Sequence, residues 1–126
     1  ISERDLSTTL LGQELTAPVG LAPVGGQAAY HEEGELAPAR AAADLGVPFT
    51  LATGATRSIE DVATAMDVID PDSTRFFQLY WPNDWDVAAS VVELAESTGY
   101  DAVVVTLDSQ INKWRRRNLR NGYTLG

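Results

Sequence analysis

Arg75-Phe76-Phe77-Gln78-Leu79-Tyr80 is a short apolar run that ends on a phenol. Runs of the same kind are Val19-Gly20-Leu21-Ala22-Pro23, Val47-Pro48-Phe49-Thr50-Leu51-Ala52-Thr53 and Ala102-Val103-Val104-Val105-Thr106-Leu107-Asp108. Their starts fall at 19, 47, 75 and 102, so one unit takes about 28 residues, the size of a strand with its crossover helix. That rhythm predicts a parallel α/β fold. The polar or small residue closing each run marks where chemistry belongs, because ligands of parallel sheets bind at the carboxyl ends of the strands.

The segments between the runs carry helix signals. Residues 34–45 are alanine-rich, with Leu36, Ala39 and Ala43 on one face, Pro38 in the first turn and Gly46 as the stop. Ser58-Ile59-Glu60-Asp61 reads as an N-cap with an acid three residues on, followed by Val62, Ala63 and Met66 at helical spacing. Asp84 caps a third helix through Ser97, with Val87, Val91, Leu94 and Ala95 as its apolar positions and Gly99 after it. Ahead of the first run, residues 6–17 form two apolar patches around Gly12-Gln13, which suits a hairpin closing one end of a sheet or barrel. The order is hairpin, β, α, β, α, β, α, β and a basic tail. Such crossovers build either an open doubly wound sheet or a (β/α)8 barrel, of which four strands are half.

The 126 residues, 44% of them apolar, suffice for one domain with a core. No apolar stretch is long enough for a membrane span, and the first residues lack the pattern of a signal peptide, so the reading is cytoplasmic. A net charge of -9 argues against general nucleic-acid binding, which depends on neutralising phosphates, and points to small-molecule partners. With no cysteine, disulfides, thiolate catalysis and cysteine-based zinc sites are excluded.

The run ends supply Pro23, Val24 and Gly25; Thr50 and Thr53; Gln78 and Tyr80; Thr106 and Asp108. Most are neutral hydrogen-bonding groups, which suit an extended polar heterocycle better than a metal, since no His/Asp/Glu cluster has ligand spacing. Each taken alone serves a packed strand equally well. Lys113-Trp114-Arg115-Arg116-Arg117, with Arg120, gathers five of the nine basic residues just past the fourth run. An arginine fork there suits a carboxylate or phosphate, while a solvated patch or oligomer contact is the plainer reading for most of the run. His31, the one histidine, has no triad partner nearby and reads as structural. No GxGxxG or P-loop motif is present, and Gly25-Gly26 alone does not indicate a dinucleotide site.

In order along the chain, Asp5-Leu6-Ser7-Thr8-Thr9-Leu10-Leu11-Gly12, Ala22-Pro23, the stretch 31–35, Ser58-Ile59-Glu60, Phe77-Gln78-Leu79-Tyr80 and Thr106-Leu107-Asp108 resemble the FMN-dependent α-hydroxy acid oxidases. That family includes glycolate oxidase, lactate oxidase and lactate 2-monooxygenase. Trp81-Pro82-Asn83-Asp84, Trp114-Arg115 and Asn121-Gly122-Tyr123 look most like the lactate 2-monooxygenase branch. Lys113 and Asn118 depart from the glycine and aspartate of the family pattern.

The resemblance implies a TIM (β/α)8 barrel, with residues 1–126 forming the hairpin and roughly strands one to four of an FMN-dependent α-hydroxy acid dehydrogenase domain. FMN lies across the strand ends, against Pro23, Val24, Gly25 and Ala52, with Gln78 and Thr106 bonding to the isoalloxazine ring. Tyr80 contacts the substrate hydroxyl, Asp108 orients and stabilises a catalytic imidazolium, and Arg115 grips the substrate carboxylate. The expected reaction oxidises a small L-2-hydroxy acid to the keto acid with O2 as acceptor, or decarboxylates it oxidatively. A tetramer or other homo-oligomer is implied. The family's catalytic histidine lies beyond the fourth strand, so the isolated 126-residue chain is expected to be inactive. The competing expectation is a non-catalytic half-barrel that pairs with itself or a second chain as a scaffold or weak flavin binder.

Overall fold

The computed structural model describes residues 4–108 and 116–122. A hairpin of β1 (Thr8–Leu10) and β2 (Gln13–Leu15), joined by the two-residue turn Leu11-Gly12, precedes three parallel strands in chain order. These are β3 (Phe49–Ala52), β4 (Arg75–Tyr80) and β5 (Ala102–Thr106). Helices α1 (Leu36–Leu45), α2 (Ile59–Asp67) and α3 (Trp85–Ser97) make the crossovers, and α4 (Arg116–Arg120) follows β5.

The first apolar run differs from the expected strand. It contributes one parallel bridge, Leu21 to Phe49, through Leu21 N–H to Pro48 O at 2.9 Å and Thr50 N–H to Leu21 O at 3.0 Å. The reason is the loss of ladder donors at Pro18, Pro23 and the facing Pro48. The segment still occupies the outer place beside β3, so all four runs lie side by side.

The helix ends follow the sequence signals. Ser58 Oγ accepts from Asp61 N–H at 3.0 Å, and Asp84 Oδ1 accepts from Asp86 N–H at 2.9 Å. Gly46 and Gly99, at φ 66° and 79°, take the left-handed conformation that stops α1 and α3. In each case the next residue's N–H returns to a carbonyl in the last turn, Val47 to Ala42 at 3.1 Å and Tyr100 to Ala95 at 3.0 Å.

Strand alternation divides the sheet into two faces. Phe49, Leu51, Phe77 and Leu79 pack with Ala39, Ala42, Val62, Met66 and Ala95 into the helix-facing core. The alanines of α1 let that helix lie close on the strands, and complete burial of Phe49, Leu51 or Met66 contributes roughly 1.5–3 kcal/mol each. Tyr100 joins this layer edge-on to Phe77, with ring centroids 6.3 Å apart, and donates to Ile59 O at 3.1 Å. Burial pushes its phenol well above the ordinary range.

Arg75 shares the helix-facing side although it is charged. Its guanidinium is buried and satisfied by Gly99 O at 3.0 Å, Ala63 O at 2.8 Å and Asp67 Oδ1 at 2.5 Å. Asp101 accepts from Arg75 N–H at 2.9 Å and from Gln13 Nε2 at 2.7 Å, which ties the hairpin to the N-terminal ends of β4 and β5. The hairpin therefore closes the end opposite the strand tips, as its position in the sequence suggested. A cavity of about 440 Å3 lies between it and the sheet, lined by Leu10, Leu15, Leu21, Thr50 and Phe76 among others and by no ionisable side chain. No helix among the described residues is long and apolar enough to cross a membrane.

Candidate functional site at the strand tips

Ala52, Gln78, Tyr80, Val104 and Thr106 share the face turned away from the helices. The parallel register pairs Ala52 with Gln78, Gln78 with Val104 and Tyr80 with Thr106. Gln78 is buried at the carboxyl edge, and its amide is held at both ends. Oε1 accepts from Thr53 N–H at 3.2 Å, and Nε2 donates to Thr106 Oγ1 at 2.9 Å. Thr53 adds a second link, its hydroxyl donating to Gln78 O at 2.6 Å and accepting from Tyr80 N–H at 3.0 Å.

This bonding orients the amide. A primary amide carries two N–H groups and a threonine one O–H, so Gln78 retains one donor and Thr106 its hydroxyl hydrogen for a ligand. Both point to a group with acceptor atoms set along one edge, which a ring carbonyl and ring nitrogens provide. Tyr80 stands half exposed beside them, and Asp108 lies exposed two residues past Thr106.

Pro23, Val24 and Gly25 form an exposed turn beyond the bridged segment. Gly26 N–H donates to Gly54 O at 3.0 Å, and a Cβ on Gly25 would lie 2.7 Å from the same oxygen. No larger residue fits at Gly25 without moving one of the two loops. The turn is thereby set against the loop after β3, next to the Thr53 that clamps Gln78. The structure thus links the 23–25 turn, Ala52, Gln78, Tyr80 and Thr106 into one rim by register and hydrogen bonds. Asp108 extends that rim, and Arg115 lies outside the described residues.

Glu35 was not singled out from the sequence, yet it is a fully buried carboxylate at this same end. Oε1 accepts from the N–H groups of Gln27 at 3.2 Å and Thr56 at 3.0 Å. Oε2 accepts from Thr56 Oγ1 at 2.6 Å and Arg57 N–H at 3.1 Å. Burial opposes its charge, but the Thr56 hydroxyl and the backbone N–H groups outweigh that and hold its carboxyl below the ordinary 4.5. The signal for it was present: Glu35, the N-cap of α1, lies four before Ala39 and seven before Ala42, in line with the helix's buried stripe. His31 behaves as a turn residue, its Nδ1 accepting from Glu33 N–H at 3.3 Å. Among the described residues no cluster of three or more His, Asp or Glu is placed to hold a metal ion.

A hydrogen-bonding rim at the carboxyl edge of a partial (β/α)8 barrel has the donors to suit a planar polar cofactor. Over residues 1–126 the sequence matches the family described as FMN-dependent dehydrogenase, and the chain belongs to that family. It is 40% identical over 124 residues to an L-lactate oxidase of Lysinibacillus sphaericus, covering 98% of this chain and 31% of that protein. It is 35% identical over 125 residues to a 2-hydroxyacid oxidase 2 of Rattus norvegicus, covering 99% of this chain and 34% of the relative. Among solved structures, a mandelate oxidase superposes with a TM-score of 0.89 at 36% identity, over 99% of this chain and 35% of its own. The chain spans about a third of the length of these relatives. The family is FMN-dependent, and the donors on the rim fit an isoalloxazine edge.

Proposed function

We propose that residues 1–126 are the N-terminal half of an FMN-dependent domain that oxidises a small L-2-hydroxy acid to the 2-keto acid. The carrying observation is the Gln78 amide, fixed between Thr53 and Thr106 at the carboxyl edge of the sheet in a chain of an FMN-dependent family. The relatives named L-lactate oxidase favour a lactate-type substrate with O2 as acceptor, and oxidative decarboxylation as in lactate 2-monooxygenase is the finer variant of the same chemistry. A homo-oligomer in the cytoplasm is the accompanying reading.

FMN, when bound, supplies the acceptor for the hydride leaving C2 of the substrate. The chain's residues do the holding. Gln78 and Thr106 donate to the ring, while Pro23, Val24, Gly25 and Ala52 form the surface it rests against. Tyr80 presents its phenol to the substrate hydroxyl, and Arg115 is assigned to the substrate carboxylate, which a guanidinium suits. Asp108 stabilises the imidazolium formed when a histidine base takes the hydroxyl proton. In this reading His31 is a turn residue rather than the base, its Nδ1 accepting from Glu33 N–H in the loop before α1. The base is therefore assigned to another part of the barrel.

The test is steady-state oxidation of L-lactate and glycolate by the polypeptide carrying the whole barrel, alongside the 126-residue chain. Keto acid formation by the former and none by the latter is expected. Turnover by the 126-residue chain would overturn the assignment of the base, and no FMN-dependent turnover by either would overturn the function.

A further inference from the structure

We propose that Glu35 is the positioning residue that fixes the 23–28 turn against the tip of β3, and so sets the surface on which the cofactor rests. The consequence for the cofactor depends on the flavin reading of the rim; the brace itself does not. Four donors converge on this one buried carboxylate, and they come from two loops that follow neighbouring strands. Among the described residues no cation takes part, and the charge is met by backbone dipoles and one hydroxyl.

The brace reaches the flavin-facing turn by a short path. Gln27 gives its N–H to Glu35 and its side-chain Nε2 to Val24 O at 3.0 Å. Thr56 gives its hydroxyl to Glu35 and accepts from Ala28 N–H at 3.2 Å. Behind it, Arg57 Nε donates to Glu33 O at 3.2 Å, which holds the entry to α1 on the same loop. The turn itself has only exposed Pro23, Val24 and Gly25, none with a polar side chain to anchor it. Its seat on Gly54 leaves no slack, since a Cβ at Gly25 would sit 2.7 Å from that carbonyl. An apolar residue here would continue the Ala39 and Ala42 stripe but leave the Gln27, Thr56 and Arg57 N–H groups without their acceptor.

The test combines hydrogen exchange with cofactor titration in the polypeptide carrying the whole barrel, comparing wild type, Glu35→Gln and the milder Thr56→Val. Glutamine keeps the shape but turns an amide donor toward N–H groups. Expected in Glu35→Gln is exchange of the 24–28 amides about tenfold faster with β4 amides unchanged, and an FMN Kd raised about tenfold. Thr56→Val is expected to move both in the same direction by less. If wild type binds no FMN while exchange at 24–28 still rises selectively, the brace stands and the flavin reading falls. Exchange at 24–28 that is unchanged, or that rises equally throughout the chain, overturns the proposal whatever happens to FMN binding.

Discussion

Gln78 donates to Thr106 Oγ1 across two neighbouring parallel strands at 2.9 Å, and their separation of 28 positions is one repeat of the βα unit. Thr53 completes this arrangement from the third strand, bonding to both the side chain and the backbone of Gln78. Thr53→Val removes the hydroxyl that serves Gln78 O and Tyr80 N–H. It is expected to lower stability by about 1–2 kcal/mol, read as a shift in the urea midpoint at constant slope. An unchanged midpoint would show that these two bonds contribute nothing net.

Tyr80→Phe keeps the ring and leaves the Tyr80 N–H bond to Thr53 intact. Only the phenol is lost, so the fold is expected to persist while the barrier for 2-hydroxy acid oxidation rises by about 1–3 kcal/mol in kcat/KM. Unaltered kinetics would remove Tyr80 from the site.

Asp108→Asn is expected to cost more than Tyr80→Phe, because it withdraws a full charge from the place where an imidazolium forms rather than one neutral hydrogen bond. The comparison of kcat/KM for the two variants tests it. A smaller loss for the aspartate would contradict the role assigned to Asp108.

Glu35 also predicts a dependence on acidity. Its carboxyl is held below 4.5 in the folded chain, so the unfolded chain binds the proton more readily. The stabilisation from its ionised form is therefore complete above about pH 4.5 and is lost as pH falls through the lower native value. Urea midpoints of wild type and Glu35→Gln are expected to differ most near neutral pH and to draw together as the solution is acidified below about pH 4.5. A gap that stays constant with acidity would contradict the ionised brace.

Local signals carried most of the architecture. The caps Ser58 and Asp84 and the stops Gly46 and Gly99 are read within a few residues of themselves, and each is where its helix begins or ends. Arg75 to Tyr80 was legible as a strand because Phe76, Phe77 and Leu79 make an apolar run that fits a sheet buried on both faces. The first run was less so, since three prolines reduce its ladder to one bridge. At the site, the run ends pick out Thr53, Gln78 and Thr106 as polar tips, but the bonds among them were hidden because the partners lie 25 and 28 positions apart. Glu35 and Arg75 were hidden for the same reason. Each sits on an apolar period as a charge, and the groups that satisfy it are brought near only by the packing of other loops and helices.

In the proposed function, the carboxyl edge of this sheet holds an isoalloxazine ring through Gln78. It is tested most directly by FMN titration of the polypeptide carrying the whole barrel, wild type against Gln78→Leu, followed by flavin fluorescence. Wild type is predicted to bind FMN and Gln78→Leu to bind it at least about tenfold more weakly, as expected for loss of a desolvated donor at a polar ring. Equal affinity in the two proteins, or no binding by wild type, would contradict the account.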